Sequence, residues 1–181
     1  MLSIRLMLKM KIMPGWTNRI EFIHILSDNY FIYLQSQKFI FDNSQIAYNA
    51  DREGRNKSLS NLDLSLKKKN KYLCGDWYSK EAYEKIKNND FTNLVYEHMI
   101  PKNIYQNEIF KLNIANKLTK DMLFNILNKY WHIAIITKDQ DKLLNDVGLR
   151  TKMPDNNHDN IFARYNKVGI KVFKLDDLIE K

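Results

Sequence analysis

An acid and a histidine stand side by side at Glu97-His98, inside the stretch Leu94-Val95-Tyr96-Glu97-His98-Met99-Ile100-Pro101-Lys102. An imidazole titrates near neutral pH and takes a proton from water, so His98 has the chemistry of a general base. A carboxylate supplies the hard oxygen that a hydrated divalent ion accepts, so Glu97 has the chemistry of a metal ligand. The residues also support a structural reading, with one side chain solvated and the other hydrogen-bonded in the core. Both readings meet one constraint. On an extended backbone, neighbouring side chains point to opposite faces, so the pair can serve one atom only if the strand ends between them.

The flanking residues say what must hold this pair. Leu94-Val95-Tyr96 is β-branched and aromatic and predicts a strand, which Pro101 closes because it cannot donate to a ladder. Upstream, Ser79 is placed to cap a helix with Ala82, Tyr83 and Ile86 inward, ending at Asn88-Asn89-Asp90. Downstream, a helix is expected over Asn103–Asn113 and another from Thr119 through Met122, Leu123, Ile126, Leu127 and Tyr130. His132-Ile133-Ala134-Ile135-Ile136 is the most continuous apolar run and predicts a central strand buried on both faces. Thr137 caps the next helix, which Gly148 terminates. Met153–Asn160 reads as a polar loop, Ile161–Tyr165 is ambiguous, Gly169–Phe173 reads as a last strand and Leu175–Ile179 as a short terminal helix.

At the other end, Thr17 is a suitable N-cap for a helix over Asn18–Gln37. Ile20, Ile23, Leu26, Tyr30 and Leu34 recur at three- and four-residue steps, and Phe22, Ile25, Phe31, Ile32 and Tyr33 widen the apolar face. His24 on this helix reads as structural or exposed, and Phe39-Ile40-Phe41 as a short strand or a helix end. The predicted class is α+β: N-terminal helices, then a small mixed sheet with flanking helices. Residues 17–181 are expected to form a single domain, with a polar, basic connection around 51–71. Residues 1–16 are expected to be unstructured or an overlong start.

The chain carries a net charge of +8 with 29 Lys and Arg among 181 residues. That surplus makes a polyanion a plausible partner, because each cation on a phosphate releases a counterion. Lys67, Lys68, Lys69 and Lys71 form a run followed closely by Tyr72, Trp77 and Tyr78, the pairing of cations and aromatics that phosphate contact and base stacking require. Packing in the core is the other account of these aromatics. Arg150 and Arg164 have phosphate-binding chemistry, and Arg164-Tyr165 could equally brace the last strand. Asp139 and Asp141 fall in the first turn of a helix, where the dipole accounts for them. A single cysteine, Cys74, excludes an intrachain disulfide and a cysteine-based zinc site. A reducing, cytoplasmic setting is expected. No apolar run approaches the roughly 20 residues that span a bilayer, so no membrane partner is expected.

Glu97-His98-x-x-Pro101 resembles the first motif of the HNH, or ββα-metal, nucleases, in which an acid or histidine precedes the catalytic histidine at a strand end. The resemblance covers about nine residues. It implies His98 as the base that activates water, Glu97 as a ligand of a divalent metal, Mg²⁺ or Mn²⁺, and Lys102 or the Lys67–Lys71 cluster on phosphates. Asn113 is a position that can stand for the family's middle asparagine, as a second metal ligand. The family's glycine-containing loop has no counterpart here, and neither His132 nor His158 falls where its later histidine belongs.

Three functions follow as expectations. One is a small metal-dependent HNH-like endonuclease acting on DNA. A second is a non-catalytic nucleic-acid-binding protein with a Lys-rich surface. The third is a protein-interaction or accessory protein in which Glu97-His98 is structural.

Overall fold

The computed structural model describes residues 19–41, 58–63 and 71–179. The expectations for residues 1–16, the Thr17 cap and Lys67, Lys68 and Lys69 lie outside the described residues. In chain order the elements are α1 (Arg19–Phe41), α2 (58–63), β1 (Trp77–Ser79), α3 (Lys80–Lys87), β2 (Leu94–His98), α4 (Lys102–Ile114), α5 (Lys120–Tyr130), β3 (Ile133–Thr137), α6 (Lys138–Asp146), α7 (Ala163–Lys167), β4 (Val172–Phe173) and α8 (Leu175–Ile179). The protein is α+β, an N-terminal helix followed by a small mixed sheet with flanking helices. The described residues divide into two compact units: a sheet unit of residues 71–104 and 130–179, and a helical unit of residues 19–41, 58–63 and 105–129.

The sheet has the order β2-β3-β1-β4. β3 lies inside it, parallel to β1 and antiparallel to β2, with Ile133, Ala134, Ile135 and Ile136 all buried. A strand covered on both faces needs apolar residues at every position, which is the pattern of its run. Directly paired residues share a face, so Val95, Glu97 and Trp77 stand on the side of Ala134 and Ile136. There Ala134 and Ile136 pack with Met99, Leu144 of α6, Tyr165 of α7 and Ile170. Leu94, Tyr96 and His98 stand on the opposite side with Ile133 and Ile135.

The helix ends follow their side chains. Ser79 Oγ accepts from Ala82 N at 3.2 Å, and Ala82, Tyr83 and Ile86 are buried. Thr137 and Gln140 form a reciprocal capping box on α6. Gly148 follows α6 with φ of +74°, a conformation that costs glycine little. The strand β1 was not legible in the sequence. Trp77-Tyr78-Ser79 is only three residues long, and Cys74–Tyr78 reads as a turn into the helix.

Beside β1, Gly75 N donates to Tyr78 Oη at 2.9 Å, and a Cβ at this position would stand 2.6 Å from Ile135 Cγ1 and 3.1 Å from the Trp77 carbonyl. Gly75→Ala must displace the central strand's side chain and is expected to cost about 1–3 kcal/mol. Chemical denaturation would show this as a lower midpoint with an unchanged slope. Asp90, just after α3, is ion-paired with Lys85 and accepts from Thr92 N and Oγ1. The Lys85 and Thr92 hydrogen bonds hold its carboxyl down at about 2. A depressed carboxyl stabilises the fold above its unfolded value and loses that contribution as it protonates. The Asp90 share is therefore expected to be lost between about pH 4 and pH 2. The carboxyl carbon shift of Asp90, followed by NMR through that window, checks it.

In the helical unit, α1 buries Ile23, Leu26, Tyr30 and Leu34, as its spacing predicts. Arg19 donates to the Asn128 side-chain and backbone oxygens at 2.6 and 2.8 Å, and Asp28 pairs with Lys120 at 3.4 Å. Ile20 and Ile32 are exposed, Ile32 by 62%, so the buried stripe is narrower than the apolar residues of this helix implied. His24 is exposed and stacks on Phe124 of α5 at 3.8 Å, a structural role. Residues 39–41 complete the helix rather than forming a strand. Residues 58–63, within the expected polar, basic connection, are helical, with Leu59 buried. Among the described residues no helix is long and apolar enough to cross a membrane.

Candidate functional site

β2 runs from Leu94 through His98, so the strand does not end between Glu97 and His98. Their side chains leave opposite faces of the sheet, and the two do not converge on one atom. His98 is half-buried and meets the Trp131 indole edge-to-face, at 4.5 Å between centroids and 74° between planes. Tyr96, two residues back on the same face, lies 6.1 Å away. This is the packing of an aromatic cluster under one side of a sheet.

Glu97 faces Arg164. The Arg164 side chain is 0% exposed, and its guanidinium reaches five acceptors. Nε donates to the Met99 carbonyl at 3.1 Å; Nη1 donates to the Leu149 and Arg150 carbonyls at 2.8 and 3.3 Å; Nη2 donates to Glu97 Oε1 and the His98 carbonyl, each at 2.5 Å. A guanidinium has five N–H donors in a fixed fork, and here every one is spent on the protein. The bonds reach the end of β2 on one side and the segment after α6 on the other. Burial pushes the Glu97 carboxyl up, and the positive charge of Arg164 draws it part of the way back. Burial also pushes the Tyr165 hydroxyl far above its usual range.

This geometry redistributes the predicted residues. Arg164 was expected on phosphate or as a brace of the last strand, and it is an internal tie. What it braces is the end of β2 and residues 149–150 rather than the last strand. Glu97, expected on a metal, is committed to that tie. Asn113 is 1% exposed, and its side-chain oxygen accepts from Gln35 at 2.9 Å inside the helical unit. Burial beside an amide donor accounts for this asparagine without a metal. Among the described residues no group of three or more His, Cys, Asp or Glu is arranged to hold a metal ion. Lys71 is exposed, with its ammonium 5.0 Å from the Tyr72 ring centroid. Trp77 packs edge-on against Phe162 and carries the Lys174 ammonium 4.1 Å from its centroid, while Tyr78 is buried.

Lys102 and Arg150 are brought to neighbouring segments. Asn103 Nδ2 donates to the Thr151 carbonyl at 3.2 Å, which joins the first turn of α4 to the segment after α6. Arg150, Thr151 and Lys152 are exposed and Lys102 is half-exposed. Lys152 was not singled out in the sequence, because nothing local marks it; its relevance comes from the Asn103–Thr151 contact, across 48 positions. The candidate site is therefore a basic surface built from Lys102, Arg150 and Lys152 over a buried arginine. Comparison with known proteins finds no family model, no curated relative and no solved structure that matches this chain.

Proposed function

We propose that this protein binds nucleic acid, DNA in the first instance, through the basic surface of its sheet unit, without itself carrying out hydrolysis at Glu97-His98. The observation that supports the reading most is the joining of Lys102-Asn103 to Arg150-Thr151-Lys152. Two cation-bearing segments distant in sequence are tied side by side by Asn103 donating to the Thr151 carbonyl. The net charge of +8 supplies the long-range attraction. Glu97 and His98 weigh against the endonuclease reading, since one is ion-paired and the other packs on the far face. The buried thiol of Cys74 fits a reducing, cytoplasmic setting.

The test is titration of labelled 20-nucleotide single-stranded and duplex DNA across a salt series. Wild-type affinity is expected to fall steeply with salt. With Lys102, Arg150 and Lys152 all changed to glutamate, the slope of log Kd against log salt is expected to drop by about three. Loss of binding on charge reversal at Lys67–Lys69, with the three-site variant unaffected, would move the interface to that cluster. Cutting of plasmid DNA with Mg²⁺ or Mn²⁺ that His98→Ala abolishes would replace binding by the hydrolytic reading.

A further inference from the structure

We infer that Arg164 is a positioning residue for the basic surface, acting as a latch that fixes residues 149–152 so that Arg150 and Lys152 are presented beside Lys102. The latch is a property of the fold, and its consequence for binding rests on the nucleic-acid reading above. After Gly148 turns the chain out of α6, residues 149–153 have no regular structure and no ladder to hold their carbonyls. Three successive carbonyls are nevertheless captured by side chains from elsewhere. Arg164 takes those of Leu149 and Arg150, and Asn103 takes that of Thr151. The segment is also pinned at its start by Leu149 N donating to the Leu144 carbonyl at 2.9 Å.

The polar side of this backbone is thereby turned inward, and the exposed side chains at 150, 151 and 152 are held outward. A cation on a segment already fixed loses less conformational freedom when it meets a phosphate, so it contributes more to affinity than the same cation on a loose loop. The anchor of the latch is sound because its other end is the sheet. Arg164 reaches Glu97 and His98 at the end of β2, set by pairing with β3, and Met99 just beyond it, whose N donates to the His132 carbonyl at 2.9 Å. A lysine cannot replace it. One ammonium with three donors has no fork and cannot reach both segments together.

Arg164→Lys in the full chain tests this, since it keeps the charge and removes the fork. Trypsin cuts after Arg150 and Lys152, and in the folded variant cutting at these two bonds is expected to be about tenfold faster than in wild type, with other sites unchanged. The salt slope of DNA binding is expected to fall by about one despite an unchanged charge count, because Arg150 is no longer held in place. Adding Arg150→Ala to Arg164→Lys is expected to lower the slope no further. A residue that only stabilised the fold would lower the melting temperature and leave both readouts, taken well below it, at wild-type values; that result overturns the latch. If wild type binds no DNA while the two bonds become labile in the variant, the latch stands and only the nucleic-acid reading falls. Should Arg164→Lys not fold, exchange of the Arg164 Nε proton in the wild-type chain decides. Persistence far beyond that of Arg150 supports the latch, and equal exchange overturns it.

Discussion

Arg164→Met is expected to destabilise the protein by about 3–5 kcal/mol, the cost of removing one partner from a buried charged pair. The loss has two sources. Glu97 would be left half-buried without its ion-pair partner, with only the weaker influence of the Arg150 charge, and four carbonyls, of His98, Met99, Leu149 and Arg150, would lose their donor together. Methionine fills much of the volume, so the effect reads the polar groups and not a cavity. For a chain of this length each kcal/mol is worth about 2–4 °C in melting temperature, so a fall of roughly 6–20 °C is expected by calorimetry. Combining Arg164→Met with Glu97→Met removes the stranded carboxylate as well. The double variant is expected to recover part of the loss, because an apolar pair can replace a buried ion pair. A single-variant loss below about 1 kcal/mol would mean that water replaces the guanidinium, and that the end of β2 is held by β3 alone.

Trp131→Ala is expected to cost about 3–5 kcal/mol, since the indole is almost completely buried and its removal opens a cavity against the sheet. The cost is a large part of the roughly 5–15 kcal/mol by which a folded domain exceeds its unfolded state. His98→Ala is expected to cost far less, because His98 is only half-buried and gives up one face of an aromatic contact. A double-mutant cycle between the two, followed by urea unfolding, is expected to yield a coupling of about 0.5–1.5 kcal/mol, the range of an edge-to-face pair. A coupling near zero would show that His98 does not need the indole. Its position at the strand end would then have to be explained by chemistry.

Much of the scaffold around Glu97-His98 was legible because local signals agreed with tertiary need. Ser79 and Thr137 cap the helices their residue types favour, and Gly148 ends α6 where only a small energetic cost attends positive φ. The run Ile133–Ile136 declares an interior strand, because burial on both faces leaves no place for a polar residue. β2, an edge strand, was legible from the β-branched and aromatic Leu94-Val95-Tyr96 and the closing Pro101, together with the alternation that sends Glu97 and His98 to opposite sides.

The sequence by itself therefore determined the α+β class, the elements flanking the acid–histidine pair and the surplus of positive charge. Only the tertiary structure decided what those residues do to one another. Whether Glu97 meets a metal or an arginine depends on Arg164, 67 positions later, and no periodicity or motif links residues that far apart. The same holds for Asn113 and Gln35, and for Lys102 and Arg150, whose segments meet through a side-chain–backbone contact that local patterning does not encode. Side-chain type sets what chemistry is possible at a position. Burial and the partner across the fold set which of those possibilities is realised, because a buried donor must spend its hydrogen bonds on whatever acceptor the packing provides.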